Sequence, residues 1–198
     1  NRIETIVFDD GATLHGTDAI LSLVATEGDD VIKSTELALN LDAGAGDDVI
    51  TTTNSSSNTV HGGDGDDTIN SSLGTNTIYG DNGKDTITTG SGADITCGGN
   101  YNDVIGKNSR YGVIIDDKGD DILNGSYGSD TYIFNRGDGK DIIREYDHWV
   151  RGTDVLIFGA GISRDDIVAK VDGDNLILAI REDGKTFDEL SDKITIEK

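Results

Sequence analysis

The chain has one cysteine, Cys97, and no proline. A single cysteine rules out an internal disulfide framework, so an extracellular protein of this composition would need metal ions as its staples. No apolar run is long enough to span a bilayer, and Asn1 opens no signal-peptide pattern. The start looks internal, as though the chain were cut from something longer. Basic residues are scarce, with 16 Lys and Arg against 38 Asp and Glu, for a formal net charge of −22. Such a surface is a poor partner for nucleic acid, because affinity there comes from neutralising phosphates with Lys and Arg. Only 34% of residues are hydrophobic. On composition alone this is a self-repelling chain with a thin core, close to the disordered class. Divalent cations are the obvious counter-charge.

Catalytic constellations are equally thin. His15, His61 and His148 are scattered, and no HExxH or comparable zinc pattern occurs. Cys97 has no nearby partner in sequence and reads as a bland edge residue. The glycine-rich loops are acidic, the wrong sign for cradling phosphate. No enzymatic activity is expected of this chain.

Glycine, with 27 residues, is what the chain has in abundance, and it falls in a nine-residue unit. The clearest copy is Gly62-Gly63-Asp64-Gly65-Asp66-Asp67-Thr68-Ile69-Asn70, of the form GGxGxDxUx with U a large apolar residue. From Ala25 the register runs as 25–33, 34–42 and 43–51, skips Thr52, and continues from 53–61 through 125–133. Phe134 and Asn135 then precede a last unit at 136–144. Position eight is Ile32, Leu41, Ile50, Val60, Ile69, Ile78, Ile87, Thr96, Ile105, Ile114, Leu123, Tyr132 and Ile143. All but Thr96 are apolar, as a narrow internal core requires. Thr52 and the Phe134-Asn135 pair are expected to bulge the stack without breaking it.

This unit resembles the haemolysin-type calcium-binding nonapeptide of the RTX (repeats-in-toxin) family. The resemblance implies an all-β, right-handed parallel β-roll with two nonapeptides per coil, stabilised by stacking because one coil cannot bury its own apolar side. Turns eighteen residues apart then stack on one side. Position six on the first side is Asp30, Asp48, Asp67, Asp85, Asp103, Asp121 and Asp141; on the other it is Leu39, Asn58, Asn76, Asp94, Gly112 and Asp130. The first side carries a carboxylate at every rung, the second at few. Two unit charges about 5 Å apart repel by roughly 3 kcal/mol at an effective dielectric of 20, so this column would resist folding without counter-ions.

Calcium takes six to eight oxygens at flexible geometry, from carboxylates and carbonyls. Carried over, the resemblance implies Ca²⁺ ligands from the seven first-side aspartates and from the loop positions Gly44, Gly46, Gly63, Gly65, Gly80, Asn82, Gly83, Gly98, Gly99, Gly119, Gly137 and Gly139. The gaps between turns would hold up to about six ions. The other side is expected to be calcium-poor, with sites near Asp94 or Asp130 at most, and its Asn and Ser turns suit neutral hydrogen-bond ladders. Tyr101, in place of glycine, and Asp116-Asp117, in place of the leading glycines of 116–124, put full coordination in doubt at their rungs. The turn at Ala25–Asp30 is also degenerate.

Residues 2–8 read as a strand, and Thr17–Val24 as a short helix forming a lid. Strands are expected at Asp154–Phe158, Ile167–Val171, Leu176–Ile180 and Lys193–Ile196, with hairpin turns at Asp172–Asn175 and Asp183-Gly184 and a helical turn at Ser163–Asp166. The flank resembles the haemolysin-type calcium-binding related region that follows RTX arrays. Its task is to cover the open edge of the roll, with Tyr146, Trp149, Phe158 and Phe187 as candidate plugs. Asn1–Thr13 resembles the end of such a flank, which implies further RTX blocks in one parent chain. The expected organisation is a cap at 1–24, the array at 25–144 and the capping flank at 145–198.

The resemblance implies a calcium-binding folding and structural module of a large secreted RTX adhesin or toxin. Such a module lies outside the cell or on a bacterial surface, and meets type I secretion machinery only in transit. Two alternatives are a calcium-dependent ice- or carbohydrate-binding module and the secretion tail of an RTX enzyme. Against the first, Thr75, Thr77, Thr88 and Thr89 do not fall in one clean file.

Overall fold

The computed structural model describes residues 4–7, 13–16, 21–34, 38–53, 56–107, 111–126, 128–145 and 152–197. Each nine-residue unit supplies one short strand, and successive strands alternate between two parallel sheets. The first sheet stacks β3 (Leu21–Val24), β5 (Leu39–Asp42), β7 (Thr59–Asp64), β9 (Thr77–Asn82), β11 (Ala93–Asn100), β13 (Tyr111–Ile115), β15 (Ser129–Phe134) and β17 (Val155–Phe158) in that order. The second stacks β4 (Val31–Ser34), β6 (Val49–Thr52), β8 (Thr68–Leu73), β10 (Thr86–Ser91), β12 (Val104–Lys107), β14 (Ile122–Ser126) and β16 (Lys140–Glu145). The chain is thus an all-β parallel solenoid, a β-roll with two strands per coil.

The period-two alternation of strands decides what lies inside. Position eight points inward at every rung, and Ile32, Ile50, Val60, Ile69, Ile78, Ile87 and Ile114 are fully buried. Full burial of such a side chain stabilises by about 1.5–3 kcal/mol, so a single file of them can hold a thin coil together. Thr96 is buried too, and interrupts the file. The core accordingly divides into one cluster from Ile32 to Ile87 and a second from Ile105 onward.

Three expectations shift. Leu21–Val24 is not the end of a helix but strand β3, paired in parallel with β5, while Thr17–Ile20 lie outside the described residues. Thr52 is no bulge: it pairs with Ser34 and Ser71, is fully buried, and its hydroxyl lies 2.8 Å from that of Ser71. The extra residue is absorbed by the following turn, before Thr59 pairs with Asn40. Phe134 is likewise in register, opposite Phe158 with the rings edge to face at 6.0 Å. The two-residue insertion falls in the loop after it, so Ile122 pairs with Ile142.

The flank adds to both sheets: β17 ends the first, and three strands extend the second. β20 (Lys193–Glu197) adds in parallel to β16, then β19 (Asn175–Ile180) and β18 (Ile167–Asp172) follow antiparallel. Asp172 pairs with Asn175 across a tight turn in which Gly173 has φ 61°. β19 and β20 pair antiparallel with the expected turn at Asp183-Gly184, where the Lys185 N–H donates to the Glu182 carbonyl at 3.2 Å, but the link is longer than a tight hairpin and adds a 3₁₀ turn at Phe187–Glu189. Phe158, Ile162, Ile180 and Ile194 pack on the second core cluster. Phe187 does not: its ring lies on the surface between the Lys170 and Lys193 ammonium groups, 5.4 and 5.6 Å from the centroid. Tyr146 and Trp149 lie outside the described residues. At the other end β1 (Glu4–Val7) and β2 (Thr13–Gly16) form an antiparallel pair, with β1 beside β4.

Candidate metal centre

The seven first-side aspartates stand in one buried column, each no more than 2% exposed. The strand that follows each turn fixes the aspartate's backbone, so the carboxylate must reach up the stack. The backbone N–H of Asp30 donates to Asp48 Oδ1 at 2.7 Å, that of Asp48 to Asp67 at 2.8 Å, and that of Asp67 to Asp85 at 2.8 Å. The ladder continues from Asp85 to Asp103 at 2.8 Å, from Asp103 to Asp121 at 2.7 Å, and from Asp121 to Asp141 at 2.8 Å. One oxygen of each carboxylate from Asp48 to Asp141 is therefore committed to the backbone N–H of the preceding rung. The other is not: Oδ2 of Asp48, Asp67, Asp85, Asp103, Asp121 and Asp141 is buried without a hydrogen-bond partner. Asp30 ends the column differently, its Oδ2 taking bonds from the Thr26 N–H and hydroxyl, both at 2.8 Å.

The leading glycines leave room over these orphan oxygens. A Cβ on Gly62 would lie 2.3 Å from Asp67 Oδ2 and 2.7 Å from the Gly80 carbonyl oxygen. One on Gly80 would lie 2.3 Å from both Asp85 Oδ2 and the Gly98 carbonyl, and one on Gly98 2.4 Å from Asp103 Oδ2. Carboxylate and carbonyl oxygens converge there. The remaining candidate glycines, Gly44, Gly46, Gly63, Gly65, Gly83, Gly99, Gly137 and Gly139, form the turn itself with φ between 96° and 137°, while Gly119 backs onto the Tyr101 carbonyl. Tyr101 takes the glycine conformation at φ 81° and stays exposed, so its rung keeps the turn.

Burial has an electrostatic cost. It raises the carboxyls of Asp48, Asp85 and Asp121 to about 6, Asp67 and Asp141 to about 7, and Asp103 to about 8. Desolvation is the largest cause, opposed by the N–H donated from the preceding rung and reinforced by neighbouring carboxylates. A buried unpaired charge must be neutralised or matched. Among the described residues the side-chain atoms that converge there are carboxylate oxygens, the donor set a hard divalent cation such as calcium selects.

The second side carries the same ladder in neutral form. Leu39 N–H donates to Asn58 Oδ1 at 3.0 Å; Asn58 donates its N–H and Nδ2 to Asn76 Oδ1 at 3.2 and 2.7 Å; Asn76 does the same to Asp94 at 2.9 and 3.0 Å. Asp94 keeps a buried Oδ2 without a partner, and its neighbour in the next rung is Gly112. Asp130 donates its N–H to Asp154 Oδ1 at 3.0 Å, and oxygens of Asp130, Glu145 and Asp154 lie within 4.8 Å of one another.

Some of the site escaped the repeat pattern. Asn82 does not face the column; its side chain joins an outer ladder, donating to Asp64 Oδ1 at 2.8 Å and accepting from Asn100 at 2.7 Å. Position five forms another outer ladder, with Asp47 N–H on Asp29, Asp66 on Asp47, Lys84 on Asp66 and Lys140 on Asp120, at 2.8 to 3.0 Å. The eighteen-residue recurrence of Asp at that position was its signal. Burial first, and then the neighbouring Asp117 carboxylate, push the Cys97 thiol up, away from the reactive thiolate. His61 stacks on Tyr79 and lies 2.9 Å from Asp81, a surface contact between rungs.

Fold and column together define a parallel β-roll with a stacked file of buried carboxylates behind its glycine turns. A family model described as the RTX calcium-binding nonapeptide repeat (4 copies) matches residues 40–69, 52–87, 61–96, 71–105 and 113–143, and this array belongs to that family. No curated protein matches the chain in sequence. Among solved structures it is similar to the extracellular lipase LipA from Serratia marcescens, at 13% identity and a TM-score of 0.27, over 91% of this chain and 38% of that one.

Proposed function

We propose that the chain is a calcium-dependent folding and structural module of a large secreted RTX adhesin or toxin. The observation that carries this reading is the row of buried Oδ2 atoms without partners, repeated from Asp48 to Asp141. At low calcium the charges of the column oppose stacking and the chain stays expanded, a form suited to transit through type I secretion machinery. Outside the cell calcium supplies the missing partners, and metal-binding free energy becomes folding free energy. The ions belong along the first side, held by Asp48, Asp67, Asp85, Asp103, Asp121 and Asp141 with turn carbonyls such as those of Gly80 and Gly98. In this reading residues 145–198 cap the array and residues 1–24 continue from an upstream block, while any catalytic or adhesive activity resides elsewhere in the parent chain.

Titration with calcium, followed by far-UV circular dichroism, tests the proposal. The expected result is a steep, cooperative gain of β signal with calcium, and a far weaker response to magnesium, which demands octahedral geometry and dehydrates reluctantly. A chain already folded in excess chelator, or folding equally well with magnesium, would sink it.

A further inference from the structure

Asp116 breaks the repeat at a telling place. Cys97 pairs with Ile115, so Asp116 stands at the level of Gly98, in the file that runs through Gly62, Gly80 and Gly98 to Phe134. In the glycine rungs a side chain there would collide with the orphan Oδ2 of position six. At this rung a carboxylate occupies that space. Asp116 is 1% exposed, and neither of its oxygens has a hydrogen-bond partner. One oxygen from each of Asp116, Asp121 and Asp141 lies within 4.8 Å of the others, and Oδ2 of Asp121 and of Asp141 is equally unpartnered. The charged groups acting on Asp116 are all carboxylates: Asp141, Asp121 and Asp138. Asp138 is already engaged, accepting the Asn135 N–H at 2.5 Å.

Resting on the reading of the column as a calcium file, we infer that Asp116 turns its rung into a distinct three-carboxylate calcium site, with Asp116, Asp121 and Asp141 as direct ligands, that fills before the glycine-type sites. The loss of the leading glycine therefore does not weaken this rung. Affinity at oxygen sites is tuned by the number of charged ligands, and here the count rises by one. A proton shared between Asp116 and Asp141 is the competing way to relieve the same crowding, and it needs no metal.

The test uses the full chain and calcium alone as probe. Bound metal per chain is measured by equilibrium dialysis at buffered free calcium, for the natural chain, Asp116→Asn and Asp116→Gly. Asp116→Asn keeps the shape, loses the charge and gains an N–H donor that stands in for the protonated acid, and Asp116→Gly restores the glycine of neighbouring rungs. The natural chain is expected to hold about one ion at free calcium where both variants hold none, with that step weakened by about tenfold or more in each. The later cooperative folding step, read by circular dichroism, persists in both variants. An Asp116→Asn chain that fills its first site as tightly as the natural one would overturn the inference and favour the shared proton. Failure of the natural chain to bind calcium at all would instead overturn the column reading on which it rests.

Discussion

In excess chelator at about pH 7 the chain is expected to lack most of its β signal, and acidification to about pH 5 to restore much of it without any metal. The cause lies in the six carboxylates of the column, Asp48, Asp67, Asp85, Asp103, Asp121 and Asp141, whose second oxygen is buried without a partner. Their folded-state pKa values, from about 6 to about 8, stand above the 3.8 of an unperturbed Asp. An acid whose pKa is higher folded than unfolded favours the fold in its protonated form. That stabilisation is complete below the unfolded value, and is lost as pH rises through the folded values, between about 4 and 8. Calcium works in the opposite direction, because ligating carboxylates must be ionised. Thermal melts across this range should therefore differ: in chelator the midpoint falls as pH rises, while in saturating calcium, with the carboxylates ionised both folded and unfolded, it stays nearly flat above about pH 5. A metal-free midpoint that climbs with pH would contradict the buried column.

The same column explains why so much was legible in the residues. A nine-residue period with glycine at the turn and an apolar residue at position eight leaves one way to bury that residue, so the strands and the core follow from counting. The asymmetry between sides was legible because it is written in side-chain type, Asp67 and Asp85 against Asn58 and Asn76, and it reappears as a charged ladder and a neutral one. What failed was the placing of irregularities. An extra residue settles where backbone bonds cost least, in a turn, so Thr52 and Phe134 stay in register and the loops after them lengthen. Leu21–Val24 reads as helix in isolation, but a parallel edge at β5 offers it backbone partners that a lone short helix lacks. Asp116 was counted as a defect because the consensus has glycine there. Only the register between rungs shows that its carboxylate falls beside Asp121 and Asp141.

Gly83→Val should abolish folding of the N-terminal part of the roll at any calcium concentration. Gly83 sits at φ 137°, where an L side chain is strained, and its Cβ would lie 1.9 Å from the carbonyl oxygen of Gly65 and 2.5 Å from its carbonyl carbon. Both obstacles are backbone, so no side chain can swing aside; strain and overpacking together cost roughly 3 kcal/mol or more. Gly137→Ala is the control: φ is 96° but nothing lies within 4 Å of the new Cβ, so only the conformational strain of about 1 kcal/mol remains. In a stack where each coil touches only its neighbours, damage stays local unless one core runs through the whole. Here the core is divided at Thr96, with Ile32 to Ile87 on one side and Ile105 to Ile194 on the other. Hydrogen exchange of Gly83→Val in saturating calcium should therefore lose protection across β4 to β10 while β13 to β20 keep theirs. An unchanged exchange pattern would refute the clash. Uniform loss would show that the two halves of the core fold as one despite the polar rung between them.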